Sequence, residues 1–274
     1  MKLNKGISII TFLLLTPCFS IAQSLDHEMH LSTYDQKVRV DLSIKLDQLP
    51  DQEFFFAFPE VFTVEGQEGG MGGVGAFGLQ NWELSEDGGT VSGEDENYKY
   101  IINLKTIESK EKYTLKWSLK FENRSDHTLV DLASFNCLGM KDAPLFQDIP
   151  MERTWVTDKN GNKKKLNEVF KTQGAERRTM QFYPVEGGIK DLSKSGWLEQ
   201  WDVNSTEKLS GNKISLVSKN EKWIVTSVVD GQVAYFFNNW ESTHGCIHAS
   251  PLIARNLKPG ESSTITGSIN FIRQ

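Results

Sequence analysis

The sequence has few cysteines and no long run of basic residues. Its 274 residues carry a formal net charge of −6 at pH 7, and the cysteines are limited to Cys18, Cys137 and Cys246. A chain with so few cysteines cannot depend on a network of disulfides, so it has to bury an apolar core. The acidic balance, with no basic cluster beyond residues 163–165, argues against nucleic acid as a partner.

Internal apolar runs long enough to cross a bilayer are also missing. The main apolar stretch, residues 7–19, is shorter than the ~20 residues that a spanning helix needs. It follows two lysines, and small residues precede and include Ala22, which is the pattern that signal peptidases cleave. We therefore predict a signal peptide at 1–22. The mature chain is expected in the periplasm or the extracellular space, with no transmembrane segment.

Helical periodicity is absent over most of the chain, and period-two alternation takes its place. In residues 36–46 and 113–121 apolar side chains occupy every second position, which is typical of a strand with one buried face. Residues 54–58 form a continuous apolar run that suits a strand covered on both faces. The sequence thus predicts an all-β, mainly antiparallel two-sheet sandwich forming a single domain at 23–274, with few short helices such as 166–170.

Turn residues predict hairpins in which consecutive strands pair within one sheet. The predicted hairpins are residues 154–165 around Asn160-Gly161, residues 113–137 and residues 222–237. Asn-Gly and Asp-Gly pairs are the strongest short-range hairpin signals, because both residues tolerate positive φ.

The side chains best suited to ligand binding lie near the C-terminus. Trp240, Glu241, His244 and His248 combine an aromatic ring with a carboxylate and two imidazoles. Aromatic rings stack on the faces of sugars, and the polar groups bind hydroxyls. We therefore expect an exported carbohydrate-binding or carbohydrate-processing protein with these residues in its site. No known catalytic motif is present, so the sequence leaves open whether the protein is an enzyme.

A metal site is the alternative hypothesis for the same stretch. His244, Cys246 and His248 have one parity, and imidazole with thiolate suits zinc or copper. On a straight strand the two histidines would stand ~13 Å apart. They can share one ion only if Gly245 bends the chain or if further ligands come from elsewhere. The remaining alternative is a structural cell-envelope protein without a cofactor or catalytic activity.

The two cysteines beyond the signal peptide admit more than one state. In an oxidising compartment two cysteines often pair, so one hypothesis is a disulfide between Cys137 and Cys246. Buried thiols are equally ordinary in apolar strands such as these. A nucleophilic pair of Cys246 with His248 is a third hypothesis, which is disfavoured because exported proteins rarely keep an activated thiol reduced.

The C-terminal pattern carries a resemblance. CIHxxP at 246–251, LxPGE at 257–261 and GxIxF at 267–271 resemble the ends of exported bacterial β-sandwich proteins. At fold level these are similar to the galactose-mutarotase-like supersandwich, a superfamily of sugar-handling enzymes and accessory domains. The His and Glu pair that mutarotases use for acid–base chemistry aligns with no position of this chain. The resemblance therefore implies the fold and not the activity.

Overall fold

The structure is a computed structural model that describes residues 28–35, 40–66, 80–169, 180–190, 205, 207–240 and 245–274. These ranges hold sixteen β-strands and two short 3-10 helices, at Pro144–Phe146 and Leu166–Glu168. The strands form two antiparallel sheets, so the all-β sandwich predicted from the alternating pattern is confirmed. No helix within these ranges has the length and apolar character needed to cross a membrane.

The strands divide between the sheets without following chain order. Sheet A consists, from edge to edge, of β1 (Met29–Asp35), β2 (Val40–Leu46), β3 (Glu53–Thr63), β8 (Leu129–Asp142), β15 (Cys246–Leu257), β14 (Val233–Asn239) and β11 (Met180–Pro184). Sheet B consists of β10 (Lys163–Lys165), β9 (Thr154–Asp158), β12 (Leu209–Val217), β13 (Trp223–Val229), β16 (Ser262–Arg273), β7 (Lys112–Asn123), β6 (Tyr98–Ser109), β5 (Gly88–Glu94) and β4 (Asn81–Ser85).

Aromatic side chains join the inner faces of the two sheets. Phe54 of β3 meets Phe271 of β16 with ring centroids 4.8 Å apart, and Phe62 meets Phe121 of β7 at the same distance. Each fully buried phenylalanine contributes about 2–3 kcal/mol through removal of apolar surface from water. This inner core holds the sheets face to face.

The other face of β3 is buried as well. Phe55 and Ala57 point away from sheet B and are at most 1% exposed. The run 54–58 is therefore covered on both sides, as its continuous apolar character predicts. We call the face of sheet A that points away from sheet B its outer face. It carries the candidate site described below.

Two of the three predicted hairpins are wrong. The strands of residues 113–137, β7 and β8, lie in different sheets, and so do the strands of residues 222–237, β13 and β14. Only residues 154–165 pair within one sheet, around Gly161 with a φ of +86°. Turn residues reverse the chain, but the partner of the next strand depends on which faces have to be buried.

Buried hydrogen bonds hold the first of these crossings. Asn123, at the end of β7, is 0% exposed. Its side-chain amide donates to the carbonyl oxygens of His127, at 2.8 Å, and Leu257, at 2.9 Å. The amide thus ties the β7–β8 connection to the end of β15, and it satisfies backbone groups that would otherwise be costly to bury.

Candidate metal centre

The register of three neighbouring strands assembles a group of soft donor atoms on the outer face of sheet A. β15 pairs with β8 so that Cys246 lies opposite Gly139. The same register, continued by two residues, brings His248 opposite Cys137. On the other side of β15, Phe237 lies opposite His248. Residues directly opposite each other in an antiparallel pair share a face, so both cysteines and the histidine project from the same side.

The donor atoms of Cys137, Cys246 and His248 all lie within 4.8 Å of one another. We call these three residues the thiol–imidazole centre. Cys246 Sγ is 3.0 Å from Nε2 of His248, and each side chain is at most 2% exposed. Tetrahedral zinc, with bonds of about 2.3 Å to sulfur and 2.0–2.1 Å to nitrogen, holds such atoms roughly 3.5–3.8 Å apart. Side-chain shifts of about half an ångström would suffice to bind an ion.

Apolar groups wall the centre on both sides. The ring of His248 lies 4.2 Å from that of Phe135 and 4.8 Å from that of Phe237, measured between centroids. On the β3 side, Phe55 and Ala57 pack against the cysteines. This packing holds the imidazole in place and excludes water. It also makes any uncompensated charge at the centre expensive.

Charge balance favours a divalent ion over a monovalent one. Two thiolates and a neutral imidazole carry two negative charges, which Zn²⁺ cancels and Cu⁺ only halves. Since the walls are apolar, the neutral assembly is the less costly of the two. Within the described ranges no further His, Cys, Asp or Glu joins the group.

The predicted disulfide between Cys137 and Cys246 is absent from the structure. The register supplies the reason, because Cys137 faces His248 and reaches Cys246 only along the diagonal. Diagonal neighbours have their Cα atoms about 7–8 Å apart. A disulfide usually needs about 4.4–6.8 Å. A bridging ion spans the wider gap without backbone movement.

The structure places some of the predicted site residues together and does not describe others. Glu241 and His244 lie outside the described residues. Cys246 and His248 do come together, two residues apart on one strand, and Gly245 just before them has a φ of +51°. Cys137, considered from the sequence only as a disulfide partner, is the residue that the metal hypothesis missed. No local signal could have found it, because only the β8–β15 register places it there.

Trp240 is not part of this centre. It is 5% exposed and belongs to the core between the sheets, where its ring packs 3.4 Å from the position a side chain would take at Gly245. Trp240 and His248, which the sequence analysis placed in one site, do not share it, because Trp240 packs between the sheets and His248 lies on the outer face. Phe237, not Trp240, shares the face of His248.

A second group of buried polar atoms lies on the same outer face. Ser250 follows His248 by two residues, and Tyr235 lies opposite Ser250. Thr63 of β3 lies opposite Ala133, which packs in the same cluster as Tyr235. Thr63, Tyr235 and Ser250 are each 0% exposed. The hydroxyls of Thr63 and Ser250 lie close enough to that of Tyr235 to act as its hydrogen-bond partners, although no contact of the three oxygens within the described residues has ideal geometry. We call them the hydroxyl group cluster.

The electrostatics of this cluster centre on Tyr235. Burial raises the pKa of its hydroxyl well above the usual value. Weak hydrogen bonds with the hydroxyls of Thr63 and Ser250 lower that pKa in part, and the Glu60 carboxylate raises it further. Tyr235 therefore remains a neutral O–H donor throughout the physiological pH range.

Comparison with known proteins shows similarity at low sequence identity. No protein family and no curated protein matches the chain. Similar solved structures include a proposed aldose 1-epimerase from Escherichia coli K12, at 11% identity over 90% of this chain and 100% of that one, with a TM-score of 0.47. A galactose mutarotase-like protein from Lactobacillus casei has 8% identity over 88% and 100%, with a TM-score of 0.44. A galactose mutarotase related enzyme from Lactobacillus acidophilus has 11% identity over 89% and 97%, with a TM-score of 0.43. At these values the similarity assigns no residue and no activity to this chain.

Proposed function

We propose that this protein binds one transition metal ion, Zn²⁺ in preference to copper, through Cys137, Cys246 and His248. One observation carries the proposal. Three donor atoms of the type that zinc prefers lie within 4.8 Å of one another in a buried, apolar setting. The signal peptide predicted at 1–22 lies outside the described residues. Export to the periplasm or beyond is part of the proposal.

A nucleophilic pair of Cys246 and His248 fits the structure less well. Their 3.0 Å contact is also the geometry of an activated thiol. Reactive cysteines, however, lie in partly exposed positions that a substrate can reach, whereas Cys246 is 2% exposed. The second thiol, Cys137, has no role in such a pair. In a metal site all three side chains act as ligands.

Carbohydrate binding at the predicted residues has lost its main support. Trp240 is sealed between the sheets and cannot stack on a sugar. A carbohydrate hypothesis has to rest on other side chains.

Metal analysis of protein purified without an affinity tag tests the proposal. We expect about one zinc ion per chain by elemental analysis after growth with zinc supplied. Cys137→Ser, Cys246→Ser and His248→Ala should each lower the zinc content severalfold. His127→Ala is the matched control, because His127 is an exposed histidine on another part of the chain and its loss should leave the zinc content unchanged.

Cobalt offers an independent readout of the ligands. Co²⁺ bound by thiolates gives sulfur-to-metal charge-transfer absorption, which should weaken in each cysteine variant and persist in the control. The proposal fails if wild-type protein, supplied with zinc and copper in turn, binds neither above background. It also fails if zinc is retained equally in all three ligand variants.

A further inference from the structure

An open groove lies at one end of the sandwich, where turns of the two sheets meet. Residues 48–52, between β2 and β3, form one wall, and Lys222, Trp223 and Arg273 of sheet B form the other. The first 3-10 helix closes a third side through Leu145. We call this the end groove. It encloses about 410 Å³, within the roughly 300–1,000 Å³ that is typical of small-molecule sites.

Hydrogen bonds fix the walls of the end groove relative to one another. Gln52 is 5% exposed, and its side-chain oxygen accepts from the backbone N–H of Leu145 at 2.9 Å. The carbonyl of Leu145 in turn accepts from the backbone N–H of Lys219, in the β12–β13 turn, at 2.8 Å. Nη1 of Arg273 donates to Oε1 of Gln48 at 3.2 Å, which links sheet B to sheet A. A groove held in this way needs little reordering to bind a ligand.

Positive charge is in excess among the side chains that line the end groove. Lys222 immediately precedes β13, and Arg273, on β16, lies opposite Trp223. Neither cation forms a salt bridge with a carboxylate of the described residues. Asp51 is the one acidic residue that lines the groove in the described part of the chain. The whole chain has a formal charge of −6, so this local excess of cations favours an anionic group.

The other lining groups favour a ligand that also carries hydroxyls. The carboxylate of Asp51 can only accept hydrogen bonds, so it repels a bare anion and binds a hydroxyl donor. The side-chain amide of Asn220 can donate to a further oxygen. Leu49 and Trp223, each 5% exposed, form an apolar floor against which the carbon atoms of a small molecule can pack.

We propose that the end groove binds a small hydroxy acid, of the size of a single sugar acid, with its carboxylate between Lys222 and Arg273 and a hydroxyl on Asp51. The site shares no residue with the thiol–imidazole centre and does not rest on the metal-binding function proposed above. Because the cations are exposed, salt should screen their attraction for the ligand and weaken its binding.

Isothermal titration calorimetry at about 50 mM salt tests the groove. The probes are D-galacturonate and D-gluconate, with D-galactose as a neutral counterpart and acetate as an anion without hydroxyls. We expect at least one hydroxy acid to bind saturably, with a Kd of about 1 mM or below. D-galactose and acetate should bind at least about tenfold more weakly. Raising the salt to about 500 mM should weaken binding of the hydroxy acid severalfold.

Neutral substitutions of the two cations identify the residues. Lys222→Gln and Arg273→Gln should each weaken binding of the hydroxy acid about five- to tenfold, because each removes a charge-assisted hydrogen bond. Lys219→Gln is the matched control. Lys219 is an exposed lysine of the same turn but is not among the lining residues of the groove, so affinity should stay within about twofold of the wild type. The zinc content and the urea unfolding midpoint of the Lys222→Gln protein should equal those of the wild type.

The outcomes separate this site from the metal centre. If neither hydroxy acid binds, the groove site is refuted and the metal function stands. Equal affinity for D-galacturonate and D-galactose refutes the role of the two cations, and so does wild-type affinity in both Lys222→Gln and Arg273→Gln. A loss of affinity in Lys219→Gln as large as that in Lys222→Gln would show general attraction by surface charge and would also refute the site. Absence of zinc binding, measured separately, refutes the metal function alone.

Discussion

Replacing Tyr183 and Tyr235 by phenylalanine, one at a time, should change the stability of the protein by different amounts. Both side chains are 0% exposed and belong to neighbouring strands of sheet A. They differ in what their hydroxyls contact. The hydroxyl of Tyr183 donates to Asn238 at 2.7 Å, whereas that of Tyr235 makes only weak hydrogen bonds with the hydroxyls of Thr63 and Ser250.

The magnitudes follow from those contacts. Tyr183→Phe removes a buried hydrogen bond and leaves the Asn238 acceptor without this donor, at a cost of about 1–3 kcal/mol. Tyr235→Phe removes an oxygen whose desolvation is offset only by weak hydrogen bonds, which should cost about 0–1 kcal/mol. A gap of about 1–2 kcal/mol corresponds to roughly 2–8 °C in Tm for a chain of this size.

The difference in stability between the two variants should hold over a wide pH range. Burial raises the pKa of both hydroxyls above their ordinary value. A raised pKa contributes stability that is fully present below the unfolded value of ~10 and is lost as pH rises through and above it. Between about pH 6 and 9 both tyrosines are neutral in either state, so the gap should not change with pH.

Urea unfolding followed by tryptophan fluorescence, with sugar-free protein at fixed zinc concentration, measures the gap. Calorimetry of the same samples checks that the transition is two-state. A loss of stability in Tyr235→Phe as large as that in Tyr183→Phe would refute the reasoning. It would mean that the Tyr235 hydroxyl is as strongly hydrogen-bonded as that of Tyr183.

The remaining predictions concern the metal centre. Gly139→Ala should destabilise the protein by about 1–3 kcal/mol, because a Cβ at this position overlaps the ring of Phe55. It should also lower the zinc content, because Gly139 lies opposite Cys246. Unchanged unfolding and zinc content would contradict this prediction. Zinc should be released on acidification, because its affinity falls roughly tenfold per pH unit for each ligand that must lose a proton. A colorimetric chelator can measure the released zinc. A zinc affinity that stays constant from pH 8 to 5 would argue against thiolate ligands.

Local pattern was sufficient for the architecture of individual strands. The apolar run 54–58 predicted a strand buried on both faces, and β3 is buried in this way. The turn at 257–261, with Gly260 at a φ of +78°, precedes the final strand β16 where alternation predicted it. These features depend on side-chain direction within one strand and on the conformational freedom of single residues, which neighbours in the sequence determine.

Pairing between strands was beyond the reach of local pattern. Turn residues at the ends of β7 and β13 were interpreted as hairpins, yet both connections cross between the sheets. Proximity in the sequence placed Trp240 in one site with His248, although the two side chains lie on different faces of sheet A. Both errors arise because the choice of partner depends on the total apolar surface to be buried, which no short segment specifies.

The amino-acid sequence by itself determined that the chain would fold into two facing sheets, and that Cys246 and His248 would project from one face of one strand. Only the tertiary structure decided that Cys137 joins them, that the two cysteines are not joined by a disulfide, and that Trp240 is enclosed in the core. The physical reason is that alternation sets the direction of a side chain within its own strand. The neighbours of that side chain are set by the register between strands that are distant in sequence.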